Sequence, residues 1–140
     1  MARPSDYTVE KADSICEHIA GGKSLVSWCA VDGRPNYTTV MRWIQQQPEF
    51  RNKYAGAREA QADYLAEEIV QISDDGSNDT YETEDGPRTN QDVIARSRLR
   101  VDARKWYASK LAPKKYGDKV ETTLTGNVDH SLTVSFVGVA

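Results

Sequence analysis

The tetrapeptide Gly21-Gly22-Lys23-Ser24 is the part of the sequence closest to a nucleotide-binding motif. A phosphate-binding loop carries another glycine five residues before Gly22, where this chain has Glu17, and it follows a strand rather than a helical pattern. We therefore expect no nucleotide site here. The two glycines are predicted to end one helix, and Ser24 is predicted to cap the next.

Metal binding and catalysis have equally weak support from residue types and spacing. The candidate zinc ligands are Cys16, His18, Cys29 and His130, but Cys16 and His18 are closer than the usual zinc-binding pairs and His130 is remote. Residues 74–85 are acidic but lack the alternating oxygen ligands of a calcium loop. With both cysteines on predicted core faces, no nucleophile–base pair can be assigned. We expect no metal, no cofactor and no enzymatic activity.

Recognition of nucleic acid is the chemistry that the N-terminal residues support. In the third predicted helix, four apolar residues are expected in the core: Val40, Met41, Trp43 and Ile44. The polar residues of its first turns are therefore expected to face outward. The predicted base-reading residues are Tyr37, Thr38, Thr39 and Arg42, and the predicted phosphate-binding residues are Arg3, Lys23, Arg34, Arg51 and Lys53. A plain three-helix bundle with ordinary surface charge is the alternative.

Three short helices must position these side chains. Two short helices joined by a tight turn with glycine, after a supporting first helix, are typical of a helix-turn-helix domain, which we predict over residues 1–47. The predicted N-terminal caps of the three helices are, in order, Asp6 or Thr8, Ser24, and Asn36 or Thr38.

A long antiparallel helical hairpin is predicted over residues 48–113. Its first helix starts at Pro48 and continues to about Ile72, and its second starts at Thr89 or Asn90 and ends before Pro113. The acidic residues 73–90 between them are predicted to form a mobile loop. Each helix has an apolar stripe that needs a partner, which predicts oligomerisation through Tyr54, Leu65, Ile69, Ile72, Ile94, Leu99, Arg100, Arg104 and Trp106. On the second helix, Ile94, Leu99, Ala103 and Trp106 are predicted to turn inward.

Charge is strongly segregated along the chain although the total is only -3. The net charge is +2 over residues 1–58, -10 over 59–92, +7 over 93–119 and -2 over 120–140. Arg96, Arg100 and Arg104 recur every four residues on one predicted helix face. They either contact DNA or neutralise the acidic residues Glu59 to Glu68 on the partner helix or the next subunit, and the neighbouring opposite charge favours the second interpretation.

The last segment, residues 114–140, changes character. Residues 120–124 and 131–137 are β-branched and alternate apolar with polar side chains, so two short strands are predicted in an otherwise mainly α fold. A lone hairpin is marginally stable, which favours pairing with strands of other subunits.

Neither a signal sequence nor an apolar run of about 18 residues is visible in the sequence, and two cysteines form no disulfide framework.

The motifs together resemble the small terminase subunit of tailed double-stranded DNA bacteriophages. Three stretches carry the resemblance: Gly33-Arg34-Pro35 with residues 39–43, residues 48–69, and the most specific, residues 98–106 with 113–119. The acidic residues 73–90 and the tail 120–140 match no fixed pattern of the family.

The resemblance implies a viral DNA packaging protein, present in the host cell cytoplasm during infection, that recognises the packaging site on double-stranded viral DNA. It also implies a homo-oligomeric ring, lined by the hairpins, that recruits and regulates the large terminase subunit, an ATPase and nuclease. By the same resemblance, the C-terminal strands form an intersubunit β-barrel and contact the large subunit through Leu132, Val134, Phe136 and Val137. A phage helix-turn-helix transcriptional regulator is the alternative, and a structural oligomer that binds no DNA is the third candidate.

Overall fold

The structure, a computed structural model, describes residues 6–118. In chain order the elements are α1 (Val9–Ala20), α2 (Leu25–Cys29), α3 (Tyr37–Gln46), α4 (Pro48–Asp74), β1 (Thr80–Thr83), β2 (Gly86–Thr89), α5 (Gln91–Leu111) and α6 (Pro113–Tyr116). The prediction of a mainly helical fold is confirmed. Arg3 and the predicted C-terminal strands, with Leu132, Val134, Phe136 and Val137, lie outside the described residues.

The helix starts follow from side-chain caps. The Thr8 hydroxyl, the Ser24 hydroxyl and the Asn36 side-chain carbonyl accept backbone N–H bonds of 3.1, 3.1 and 2.9 Å at the starts of α1, α2 and α3. Asn90 caps α5 in the same way. Gly22 adopts φ +88°, and a Cβ there would collide with the Tyr64 ring, so the turn after α1 requires glycine.

The first three helices share a closed apolar core with the start of α4. Its largest members are fully or almost fully buried and come from all four helices: Ile15, Ile19, Leu25, Trp28, Val40, Trp43 and Phe50. Tyr7 packs its ring edge-on against Trp43, with 5.6 Å between ring centroids. Since α4 supplies Phe50 and Ala57 to this core, the predicted boundary at residue 47 does not separate two packing units.

Helices α4 and α5 pack as an antiparallel hairpin. Ala62 of α4 packs against Ala108 and Ala112 of α5. Six residues later on α4, Glu68 pairs at 3.2 Å with Arg104, which lies earlier on α5, so the two helices run in opposite directions. Alanines at the closest approach leave little apolar volume between the helices. The Arg104 pair agrees with the interpretation that basic residues of α5 neutralise acids of α4.

Helix α6 begins at Pro113, packs against α5 and reaches α4 through its side chains. Lys115 Nζ and the Tyr116 hydroxyl each donate to Asp63 Oδ1 at 2.7 Å. These two hydrogen bonds, that of Lys115 first, hold the pKa of Asp63 below its usual range. They therefore tie the end of the hairpin to its first helix.

The segment between the long helices is more ordered than predicted. Strands β1 and β2 pair antiparallel, with Thr80 opposite Thr89 and Thr83 opposite Gly86. The prediction that residues 73–90 form a loop is therefore wrong for Thr80–Thr83 and Gly86–Thr89, which pair as strands. The segment has three residues that favour strands, Thr80, Tyr81 and Thr83, followed by Asp85-Gly86. This is a hairpin signal that the acidic composition concealed.

Candidate nucleic-acid interface

Helix α3 presents a polar face because its other face is held in the core. Val40 and Trp43 are buried, whereas Thr38 and Arg42 are exposed and Tyr37 is half exposed. Thr39 is partly covered, and its backbone N–H is bound by the cap residue of the helix. Three of the four predicted base-reading side chains therefore lie on the solvent face of α3.

A second group of positive charges lies at the turn after α1 and just before α3. Lys23 and Arg34 are both exposed and both act electrostatically on His18, whose Nε2 lies 2.7 Å from the Ser27 hydroxyl. Burial lowers the pKa of His18, and the charges of Lys23 and Arg34 lower it further. The two basic side chains thus form one electropositive patch beside the His18 imidazole.

Arg34 also has a structural role. Its Nη1 donates to the Trp28 carbonyl at 3.0 Å, and its guanidinium stacks 4.6 Å from the centre of the Trp28 ring. The side chain therefore closes the end of α2 while its remaining N–H groups stay available to solvent.

The other two predicted phosphate-binding residues within the described part of the chain are engaged in internal contacts. Arg51 donates to the carbonyls of Ile44 and Gln45 at 3.2 and 2.7 Å, which satisfies the C-terminal end of α3. Lys53 pairs with Asp13 at 3.0 Å, and this contact raises the pKa of the lysine. Both are better placed to hold α3 and α4 on the core than to reach a ligand.

A polar cluster that sequence reasoning missed joins the N-terminal helices to the hairpin. The Arg58 guanidinium donates to the Tyr54 hydroxyl and, at 2.8 Å each, to the Tyr107 hydroxyl and Gln61 Oε1. Gln61 is 1% exposed and donates in turn to the Lys23 carbonyl at 3.0 Å. Gln61 lies on the otherwise apolar stripe of α4, and this position is the sequence signal that could have indicated a buried polar role. The cluster fixes the turn that carries Lys23 against α4 and α5.

The predicted oligomerisation residues divide into two groups. Leu65 and Ile72 are buried within the chain, Tyr54 packs on the N-terminal core, Ile69 and Ile94 are half-buried, and Arg104 pairs with Glu68. In contrast, Arg100, Leu99 and Trp106 face outward, the last two with 56% and 62% of their surface exposed. The prediction that Leu99, Ala103 and Trp106 turn inward is wrong, because Ala108 and Ala112 occupy the close contact with α4.

Neither metal chemistry nor a membrane span is indicated in residues 6–118. No group of three His, Cys, Asp or Glu side chains converges there, and no helix is long and apolar enough to cross a membrane. Cys16 and Cys29 are half-buried free thiols, and burial raises the pKa of both.

Comparisons of sequence and of structure with known proteins find the same family. Residues 7–123 match a family model described as bacteriophage Sf6, terminase small subunit-like. Among solved structures, three single-substitution variants of the terminase small subunit gp1 of the bacterial virus Sf6 are similar, one at 42% and two at 40% sequence identity. Each match covers 89% of this chain and 87% of the other, with a TM-score of 0.67. No curated protein sequence matches the chain.

Proposed function

We propose that this chain, which belongs to the Sf6 terminase small subunit-like family, recognises a packaging site on phage DNA, assembles as a homo-oligomeric ring and recruits the large terminase subunit. Family membership supports a role as a DNA-packaging terminase small subunit, in a family that is generally non-catalytic. The proposal has three steps: recognition of the packaging site, assembly of a ring and recruitment of the large subunit. All three would take place in the host cytoplasm during infection.

The solvent face of α3 is the observation that carries DNA recognition. A recognition helix offers the side chains of its first turns to base edges while neighbouring basic groups hold phosphates. Tyr37, Thr38 and Arg42 supply the first kind of group, and Lys23 and Arg34 the second. We infer a helix-turn-helix contact with α3 in the major groove.

A ring would compensate for the modest charge of each DNA-binding unit. Residues 1–58 carry a net charge of only +2, so one copy attracts DNA weakly. Several copies on one assembly raise the effective concentration of every further contact, provided that the DNA reaches them together. The exposed apolar side chains of α5 are the feature that favours such an assembly.

The C-terminal residues remain the proposed contact with the large subunit. We propose that Leu132, Val134, Phe136 and Val137 supply the apolar side of strands that form an intersubunit barrel and bind that subunit. Deletion of residues 125–140 is expected to reduce stimulation of a cognate ATPase subunit more than it reduces DNA binding. Equal loss of both would leave the tail with a structural role alone.

The experiment that tests DNA recognition compares exposed basic residues inside and outside the interface. Arg42→Ala with Lys23→Ala removes two proposed contacts without breaking an internal side-chain bond, whereas Arg34→Ala would also remove the bond to the Trp28 carbonyl. We expect weaker binding to phage DNA and a salt dependence shallower by about one for each lost phosphate contact. Arg88→Ala, an exposed arginine on β2, is the matched control and should bind as wild type. Unchanged binding by the double variant would remove α3 from the interface.

A further inference from the structure

The outer side of α5 carries an apolar and basic stripe. Its members recur at helical spacing and face away from α4; we call Arg96, Leu99, Ala103, Trp106 and Lys110 the basic stripe. Leu99 and Trp106 are more than half exposed, and the Lys110 ammonium lies 5.7 Å from the centre of the Trp106 ring. Within residues 6–118, neither Arg96 nor Lys110 takes part in an ion pair.

The outer side of α4 carries the opposite charge. Residues 59–74 contain five acidic and no basic side chains, and two of the acids are neutralised within the chain, Asp63 by Lys115 and Glu68 by Arg104. The acidic face, as we call it, consists of Tyr64, Glu67, Val70, Gln71 and Asp74. All five are exposed, Tyr64 to 47% and Val70 to 58%, and Tyr64, Glu67, Val70 and Gln71 line one shallow groove. Glu67 and Asp74 have no ion-pair partner in the described part of the chain.

We propose that the basic stripe of one copy packs into the acidic face of the next copy. In an antiparallel register, Leu99 and Trp106 would meet Val70 and Tyr64, and Arg96 would approach Asp74. Glu67 would lie opposite Ala103, between the two apolar pairs, and Lys110 would extend beyond Tyr64. The inference rests on the ring proposed above and specifies which surfaces form it. Because the two faces differ, the contact is head-to-tail, which generates closed rings when the rotation between copies closes.

A second copy fits these surfaces better than DNA does. Protein–DNA interfaces are polar and strongly basic, whereas the centre of the stripe is a leucine, an alanine and an exposed tryptophan. The acidic face, which repels DNA, is complementary to the stripe in charge and matches its two large apolar residues with two of its own. One chain cannot satisfy both surfaces by itself, because each faces away from the hairpin seam.

Complementary variants test the pairing. One variant, Leu99→Ser with Trp106→Ser, removes the apolar centre of the stripe, and another, Glu67→Lys with Asp74→Lys, makes the acidic face repel the stripe. The mass of each is measured by native mass spectrometry, alone and after mixing in equal amounts. The matched controls alter exposed residues outside both surfaces: Val26→Ser with Tyr81→Ser, and Glu82→Lys with Glu84→Lys.

The head-to-tail contact predicts a distinctive result. Wild type and both controls should have the same multiple of the 15.6 kDa chain mass, and each variant alone should have the mass of one chain. The mixture should stop at twice the chain mass, because one intact stripe meets one intact acidic face and the two altered surfaces remain. A variant that still forms the wild-type assembly overturns the pairing, as does a mixture that stays monomeric or rebuilds the full assembly.

Two further measurements separate the contribution of charge from that of apolar contact, and both from loss of folding. Arg96→Glu with Lys110→Glu keeps both large apolar side chains, so its conversion to monomer isolates the charge contribution, and an unchanged mass overturns the charge pairing. Circular dichroism confirms that each variant has the helical content of wild type. A wild type of single-chain mass overturns the ring and this inference together, whereas a wild-type ring that tolerates both variants overturns only the choice of surfaces.

Discussion

The N-terminal helices and the central hairpin bury their large apolar side chains to very different extents. Around Phe50, Trp28 and Trp43, one chain closes a core with no contribution from outside. In the hairpin, the contact at Ala62 is made by alanines, and Trp106 on α5 remains 62% exposed. The difference indicates that the first region forms its core within one chain, whereas the proposed assembly would cover the exposed side chains of the second.

Truncating the closed core should have the largest effect. Phe50→Ala removes a fully buried ring at the junction of the N-terminal core and α4, and we expect it to lower the free energy of unfolding by about 3–5 kcal/mol. The loss should be the same at low and high protein concentration. Denaturant unfolding followed by tryptophan fluorescence measures it, with Val26→Ala on the exposed side of α2 as the control. A concentration-dependent loss would contradict the closed core.

Breaking the Arg58 cluster should have the next largest effect. Arg58→Met leaves Gln61 and two tyrosine hydroxyls without their donor, which costs about 1–3 kcal/mol for a buried polar group left unpaired. Amide hydrogen exchange in the turn around Lys23 should accelerate, because that turn is held by Gln61. Arg88→Met, at an exposed site, is the control. Unchanged exchange would show that the cluster does not couple the two regions.

The ion pair within the hairpin seam should contribute less. Arg104 and Glu68 are each about one quarter exposed, so a double-mutant cycle is expected to give a coupling energy of about 1 kcal/mol or below. The Arg88–Asp85 pair on the β-hairpin is far more exposed and should give a value near zero. Equal couplings for the two pairs would mean that the seam does not shield its charges from solvent.

The smallest expected effect concerns pH. The pKa of His18 is lowered in the folded chain, so the unfolded chain takes up a proton first as the pH falls. The N-terminal region should therefore lose stability as the pH drops below about 6.5 and through the lowered folded pKa. His18→Gln should remove this component of the pH dependence.

If phosphates bind at Lys23 and Arg34, added DNA should raise the pKa of His18, which the imidazole signals report in NMR. An unchanged pKa would place the phosphates elsewhere.

Local chemistry made much of this architecture predictable from sequence. The cap at Ser24 and the helix start at Pro48 depend on residues close in the chain, and both predictions are confirmed. Of the two predicted caps of α3, the structure has Asn36 and not Thr38. The periodicity of Val40 and Trp43 correctly placed the core side of α3, and therefore its solvent side.

The remaining features depend on contacts between distant parts of the chain. The inward placement of Trp106 failed because helical spacing identifies an apolar stripe but not which neighbour covers it. The Arg58–Gln61 cluster involves Tyr107, 49 residues from Arg58, and no local pattern encodes that approach. The internal roles of Arg51 and Lys53 were concealed for the same reason, since charge alone does not distinguish a helix-end contact from a phosphate contact.

Acrylamide quenching of Trp106 in the assembled protein tests most directly whether a second copy covers the exposed side of α5. Trp28 and Trp43 are buried within one chain, so they provide a protected background, and the Trp106→Phe variant isolates their signal. If a second copy covers Trp106, wild type at assembling concentrations should have no more accessible fluorescence than Trp106→Phe. The same samples should have a sedimentation mass well above 15.6 kDa. An additional, readily quenched component in wild type, or shielding at the mass of a single chain, would contradict the covering of Trp106 by a second copy.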